Sequence, residues 1–176
     1  MEEIIIAKRK EPSLIWCEDN LIKILPVNCE TVYFTDFTNE MYQLVNDIRW
    51  AVYGGYLRGY INGKSIALHH LVLPKEEGMH SDHVNRKKND NRRCNLRNIT
   101  PTENYINRGL TVRNTSGYLG VSWNIKNEKW MASIRVNKKS KNLGYYDNPQ
   151  EAHEIFKLAA EEYYPGILYP EQIQVI

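Results

Sequence analysis

Residues 69–107, HHLVLPKEEGMHSDHVNRKKNDNRRCNLRNITPTENYIN, hold four of the chain's five histidines and a dense set of Asp, Asn and Arg. Asp82-His83 ends an expected strand. Asp90-Asn91-Arg92-Arg93 follows a basic turn, and Asn95-Leu96-Arg97 falls on an expected short helix. A strand carrying Asp-His and a helix carrying Asn can gather a carboxylate, an imidazole and an amide oxygen around one point. Phosphodiester hydrolysis needs such a set. Histidine, with a pKa of ~6.5, can deprotonate water near neutral pH. A divalent cation neutralises the phosphate and the leaving 3′ oxygen. One carboxylate and one amide oxygen suit Mg²⁺, which keeps several waters and accepts substrate phosphate, whereas zinc prefers more Cys and His. Taken singly, the parts say little: Asp-His is a common dipeptide, and Asn is a frequent turn or cap residue. The ordered set is far more specific than any member.

The elements that must position these residues are short. Over residues 12–73, strands are expected at 14–16, 21–25, 32–34, 47–53, 55–60 and 65–69, with a short helix at 37–45. They break at Gly54-Gly55 and at Asn62-Gly63, the latter a strong hairpin signal. Residues 76–100 are polar and irregular. Thr100, Pro101 and Glu103 then make a capping box with Pro at the first helical position. Residues 108–116 carry few apolar anchors and read as a linker. Three further strands are expected at 118–123, 130–136 and 141–146, turning at Asn127-Glu128 and over 137–140. An amphipathic helix opens at Asn148-Pro149, with Ala152, Phe156, Ala159, Ala160 and Tyr163 on one stripe, and Pro165-Gly166 ends it.

Composition bounds the function. The chain has 176 residues, 42% hydrophobic and 25% charged, enough for one domain or two small ones. No run approaches a membrane span, and the opening MEEIIIAKRK lacks the pattern of a secretory signal. Cys17, Cys29 and Cys94 are too few and scattered for a disulfide framework or a structural zinc site, which fits a reducing, intracellular setting. The formal net charge is +2, yet residues 64–148 carry 16 Lys and Arg against 7 Asp and Glu. Basic charge gathered in the middle of the chain fits a polyanionic partner and a merely solvated surface equally well, so charge alone does not choose between them.

The segment from Leu68 to Asn107 resembles the HNH homing-endonuclease family common in phage and group I introns. Members carry a Leu-His-Arg-Leu, Asp-His, Asp-Asn-Arg, Asn-Leu-Arg, Thr, Glu-Asn, Asn series; here His69-His70 stands where the family has His-Arg. The resemblance implies a ββα-metal fold with a β-rich lead-in. It makes His83 the general base and Asp82 a metal ligand. Asn91 becomes the central residue that pins the loop, and Asn95 the second metal ligand, with Mg²⁺ or Mn²⁺ as the cofactor. Arg86, Lys87, Lys88, Arg92 and Arg93 flank this set as candidate phosphate contacts. His69 or His70 in its apolar run is read as a core histidine, and His153 as a surface one.

Residues 114–166 resemble the three-stranded-sheet-plus-helix DNA-binding domain of plant ethylene-response factors. The matching residues are Gly120-Val121-Ser122-Trp123, Lys129-Trp130-Met131-Ala132, Ile134-Arg135, Leu143-Gly144-Tyr145-Tyr146 and Glu151-Ala152. Alternation along the strands places Val121, Trp123, Trp130, Ala132, Ile134, Leu143 and Tyr145 towards the helix. Ser122, Asn124, Ser133, Arg135 and Asn142 fall on the opposite face, where Arg135 can read guanine and the two Asn adenine. Lys138, Lys139 and Lys141 are candidate phosphate contacts. The plant domains carry several Arg and a Trp where this face has Ser or Asn, which suggests tolerant base readout.

The expected protein is therefore α+β. A β-rich lead-in and HNH module occupy 1–107, a linker 108–116, and a DNA-binding sheet-and-helix domain with its tail 117–176. The expected activity is metal-dependent cleavage or nicking of double-stranded DNA, with no membrane and no obligate protein partner. Three alternatives remain: a catalytically inactive DNA-binding or regulatory protein, a nuclease acting on RNA or branched DNA, and a purely structural ββα fold.

Overall fold

A computed structural model describes residues 13–168. Among these, the chain is a mixed α+β protein with small antiparallel sheets and four α-helices. No helix among the described residues is long and apolar enough to cross a membrane. Two compact units can be distinguished. The first comprises the described residues up to Glu76 together with Ser81–Asn98. The second comprises Glu77–His80 together with the described residues from Ile99 onward.

In the first unit, β1 (Leu14–Glu18), β2 (Leu21–Leu25) and β3 (Tyr33–Asp36) form one antiparallel meander. A second is formed by β4 (Ala51–Tyr53), β5 (Tyr56–Ile61) and β6 (Lys64–Ala67). Between them lies α1 (Asn39–Asn46), capped by Thr38, whose side chain accepts the Met41 N–H. The period of two is plain in β2, where Ile22 and Ile24 are fully buried and their neighbours are not. These two join Tyr33, Val45, Trp50, Leu57 and Leu68 in the core. The Trp50 indole satisfies its polar edge by donating to the Val45 carbonyl at 3.0 Å. A Cβ on Gly59 would stand 2.2 Å from Ile48 Cγ2, so only glycine lets β5 pass there.

Two expected strands are shortened. The one over 47–53 begins only at Ala51, because Asp47 serves as the C-cap of α1. The one over 65–69 ends at Ala67, where α2 (Leu68–Val72) begins and carries His69 on a helix. Leu68 and Leu71, three residues apart, both pack on the core from one helical face.

β7 (His80–His83) pairs with β8 (Leu96–Ile99). A 3-10 turn, Arg93–Asn95, stands where a short helix was expected. The capping box is present in full and opens α3 (Pro101–Asn107): the Thr100 hydroxyl accepts the Glu103 N–H, and the Glu103 carboxylate accepts the Thr100 N–H.

In the second unit, β9 (Val121–Asn124), β10 (Lys129–Val136) and β11 (Lys139–Tyr146) form an antiparallel sheet in the order β11-β10-β9, and α4 (Pro149–Tyr163) packs on it. Phe156, Ala159 and Ala160 meet Leu119 and Ile134, together with Ile99 and Ile106 from β8 and α3. The compact units thus divide after Asn98, because Ile106 finds its apolar neighbours in this core. Residues 108–116, expected as a linker, contain neither helix nor strand. Their end is ordered by hydrogen bonds: Asn114 Nδ2 donates to the Tyr118 carbonyl at 2.8 Å, and Ser116 Oγ donates to the Val121 carbonyl at 3.0 Å.

The simple alternation fails in β11. Ala132 pairs with Gly144 but Ser133 pairs with Asn142, so Leu143 is an extra residue and the parity flips beyond it. Tyr146, rather than Tyr145, joins Leu143 against the core, and Tyr145 is 40% exposed. Trp123 also departs from core packing: it stacks edge-on against Trp130 at 5.1 Å yet stays 47% exposed. His153, read as a surface residue, is half-buried and donates from Nδ1 to the Leu119 carbonyl, 2.9 Å away; a carbonyl only accepts, so Nδ1 must carry a proton.

Gly120 has φ +75°, and a Cβ there would lie 2.1 Å from the Phe156 ring. Gly120→Ala is expected to destabilise the second unit by about 3 kcal/mol, from backbone strain and overpacking together. Urea denaturation followed by circular dichroism measures it, and a change within about 0.5 kcal/mol, typical of surface substitutions, would contradict this packing.

Candidate active site

The loop between β7 and the 3-10 turn is tied to β3. Phe34 N–H donates to the Asn89 carbonyl at 2.9 Å, and Asn91 N–H donates to the Phe34 carbonyl at 2.8 Å. Thr35 Oγ1 donates to the Asn91 carbonyl at 3.1 Å, and Asn89 Nδ2 to the Val32 carbonyl at 3.1 Å. Thr35, Asp90, Asn91 and Asn95 are all buried, so each polar atom needs a partner, and these bonds supply many of them. The Asp90 carboxylate takes Arg92 Nε at 2.8 Å, Arg92 Nη2 at 2.7 Å and Asn85 Nδ2 at 2.8 Å. Burial works against its charge. The Arg92 and Asn85 hydrogen bonds outweigh that, so its pKa lies below the ordinary carboxylate value and Arg92 is held more firmly protonated.

His83 sits at the end of β7 with 6% exposure. Its Nε2 lies 3.3 Å from Asn91 Oδ1. The Asn91 amide is oriented by its other end: Nδ2 faces the Asn89 carbonyl at 3.2 Å, and a carbonyl can only accept. Oδ1 must therefore face the imidazole, which makes Nε2 the protonated nitrogen and leaves the lone pair on Nδ1. Burial lowers the His83 pKa, and the Asn91 bond offsets this only in part, so the ring is neutral at pH 7. His69 packs edge-on against it at 5.3 Å, and Tyr56 lies 6.1 Å away. His69 is itself buried, and desolvation with the nearby His70 and His83 pushes its pKa down to about 3.

Asp82 precedes His83 on β7, half-buried, and its Oδ2 accepts Arg97 Nε from β8 at 2.9 Å. Asn95 is spent on the loop: Oδ1 accepts the Asn85 N–H at 2.9 Å, while Nδ2 donates to Asn85 Oδ1 at 2.9 Å and to the Asp90 carbonyl at 2.7 Å. The structure therefore brings His83 and Asn91 into direct contact, sets Asp82 next to them along the strand, and engages Asn95 in clamping the turn. Among the described residues no cluster of three or more His, Cys, Asp or Glu could hold a metal ion. Asp82 fits the single-carboxylate attachment that Mg²⁺ accepts. The Asn95 oxygen fits poorly as a second ligand, because it already accepts a backbone N–H.

The flanking cations separate into two kinds. Arg92 is committed to Asp90, and Lys88 donates to the Gly54 carbonyl at 3.1 Å with its Nζ 4.2 Å over the Tyr56 ring. Arg93 Nη1 donates to the Leu96 carbonyl at 3.2 Å, though the residue is exposed; Lys87 is exposed and Arg86 half-buried. Sequence reasoning passed over Arg97, Tyr56 and Thr35. Arg97 had a signal in the Asn-Leu-Arg triplet; the other two lie far off in sequence and had none.

In the second unit, Ser122, Arg135, Lys138, Lys139 and Asn142 are exposed, while Asn124 and Ser133 are half-buried. The oxygens of Asn124 and Asn142 are taken up locally, accepting the Asn127 and Gly144 N–H groups at 2.9 Å each. Lys141 bonds to the Tyr163 hydroxyl and lies over its ring, so it belongs to the helix side.

No family model, no curated protein and no solved structure matches the chain.

The buried histidines give stability a pH dependence. Unfolded histidine protonates near pH ~6.5, whereas folded His69 resists protonation down to about pH 3. The unfolded chain then binds more protons, so stability is full above about pH 6.5 and falls as pH drops towards 3, by up to ~1.4 kcal/mol per pH unit for this group. Urea denaturation at about pH 7.5 and about pH 5 should show the loss, and His69→Phe should make it shallower, with the remainder carried by the other buried histidines. An equally steep loss in His69→Phe would contradict the assignment.

Proposed function

We propose that the first unit is a metal-dependent DNA endonuclease of the HNH homing type and that the second unit adds DNA contacts. The observation that carries this reading is His83: buried, neutral, fixed in one tautomer by Asn91, and adjacent to a half-buried carboxylate at Asp82. The chain order strand, loop, strand from β7 to β8, followed by α3 at the start of the second unit, is compatible with a ββα-metal module, and the two meanders of the first unit with a β-rich lead-in.

In this mechanism His83 Nδ1 takes a proton from a water molecule as that water attacks the phosphorus. The bond from phosphorus to the 3′ oxygen breaks, the departing oxygen takes a proton from solvent, and a 5′ phosphate and a 3′ hydroxyl remain. Asn91 donates nothing to the substrate; it holds the ring so that Nδ1, not Nε2, carries the lone pair. Asp82 would hold the Mg²⁺ or Mn²⁺, which when bound neutralises the phosphate and the developing charge on the leaving oxygen. Lys87 and Arg93 are the exposed cations suited to neighbouring phosphates, and Lys88 and Arg92 maintain the loop. Covalent linkage to a second DNA-binding unit raises effective concentration, so neither unit need bind tightly alone.

A binding-only protein is the second reading. One observation favours it: the Asp82 carboxylate is already paired with Arg97, and the Asn95 oxygen with Asn85. Incubation of supercoiled plasmid with the protein separates the two. Cleavage is expected with Mg²⁺, to be abolished by EDTA, and to fall about 10²–10⁴-fold in His83→Ala, as for loss of a general base. Cleavage unchanged in His83→Ala would reject His83 as the base. DNA binding without cleavage, across sequences and metals, would establish the second reading.

A further inference from the structure

Residues of α3 and of the β9–β11 sheet together line a recess. A cleft of about 650 Å³ is lined by Thr102 and Tyr105 of α3, by Ser133, Arg135 and Ser140 of the sheet, and by Lys138 of the turn. A second cavity of about 220 Å³ shares Tyr105 and Ser133 with the first and adds Arg108, Arg113 and Ser122. All of these residues belong to the second unit. Among the described residues lining the two cavities, four are Arg or Lys and none is Asp or Glu. Tyr105 is 45% exposed, with the Arg108 guanidinium 4.0 Å from its ring centroid.

A sheet that reads duplex DNA enters the major groove as a protruding ribbon. Here Ser133 of the central strand β10 is half-buried and lines both cavities, together with residues of α3 and of the segment 108–114. A recess lined by basic side chains, hydroxyls and a partly exposed tyrosine matches the chemistry of an unpaired strand. Cations follow the backbone and the ring stacks on a base, and neither contact carries strong sequence preference. We propose that this cleft binds single-stranded DNA, with Tyr105 as the stacking platform and Arg108, Arg113, Arg135 and Lys138 as the phosphate contacts. The choice of DNA as the polynucleotide rests on the reading of the first unit as a DNA endonuclease; the preference for an unpaired strand rests on the cleft alone.

The test is fluorescence anisotropy of the full chain in EDTA with three labelled probes: a dodecamer of thymidine, a mixed-sequence duplex dodecamer and a uridine dodecamer. The thymidine strand should bind more tightly than the duplex. Tyr105→Ala should weaken thymidine-strand binding about fivefold or more, Tyr105→Phe should restore it, and duplex binding should change little in either. Arg135→Ala should lower the slope of log K against log salt by about 0.7 for the thymidine strand. Affinities are read in EDTA, where no metal-dependent cleavage occurs, so loss of cleavage and loss of strand binding are separate results. Melting curves for each variant confirm the fold. Equal weakening of duplex and single-strand binding in Tyr105→Ala would overturn the proposal, as would no effect on either. Tighter binding of the uridine strand than of the thymidine strand would overturn the assignment to DNA.

Discussion

The first unit depends on one buried amide. Asn91 is anchored through its backbone to β3 and through Nδ2 to the carbonyl of Asn89, and these contacts leave Oδ1 only one direction to face. That direction is the His83 imidazole. Buried amides are costly unless all their groups are paired, so the orientation is enforced by the same energy that makes the loop fold. The tautomer of His83, and with it any general-base chemistry at Nδ1, follows from an arrangement whose immediate purpose is to bury a polar turn. β3 in turn is fixed by the meander it belongs to, so a core built from Ile22, Ile24 and Tyr33 ultimately sets the proton position on a ring 50 to 61 residues further along.

The same economy of charge explains why the basic stretch is not a uniform polyanion surface. Arg92 and Lys88 are spent on structure: one offsets the burial of Asp90, the other caps a carbonyl and covers Tyr56. Lys87 and Arg93 are left at the surface. In the second unit Lys141 is drawn towards Tyr163, whereas Arg135 and Lys138 line the recess. Formal charge counted along the chain therefore overstates the charge that a phosphate backbone would meet, and contacts at each side chain decide which cations remain.

Features controlled by neighbouring residues were legible in the sequence. The Thr100–Glu103 capping box, the Asn62-Gly63 turn and the helix opening at Asn148-Pro149 depend on a few adjacent side chains, and they stand where their patterns place them. Features set by distant partners were not. Ile106 reads as part of a helix belonging to the preceding residues, yet its neighbours are Leu119, Ile134 and Phe156. The bulge at Leu143 changes which tyrosine meets the core, and no local signal marks it beyond the glycine that follows. The chain positions of Asp82, His83, Asn91 and Asn95 could be picked out by type and spacing. Which asparagine touches the histidine could not, because both amides choose their partners only once the loop has closed.

The most direct test of this account is the nitrogen spectrum of the His83 ring, recorded by long-range ¹⁵N–¹H correlation near neutral pH and assigned by its loss in His83→Gln. The account predicts a neutral ring protonated at Nε2, with Nδ1 showing the shift of an unprotonated nitrogen, and loss of that single-tautomer signature in Asn91→Ala. A ring protonated at Nδ1, or an even mixture of the two tautomers in the unaltered protein, would contradict it.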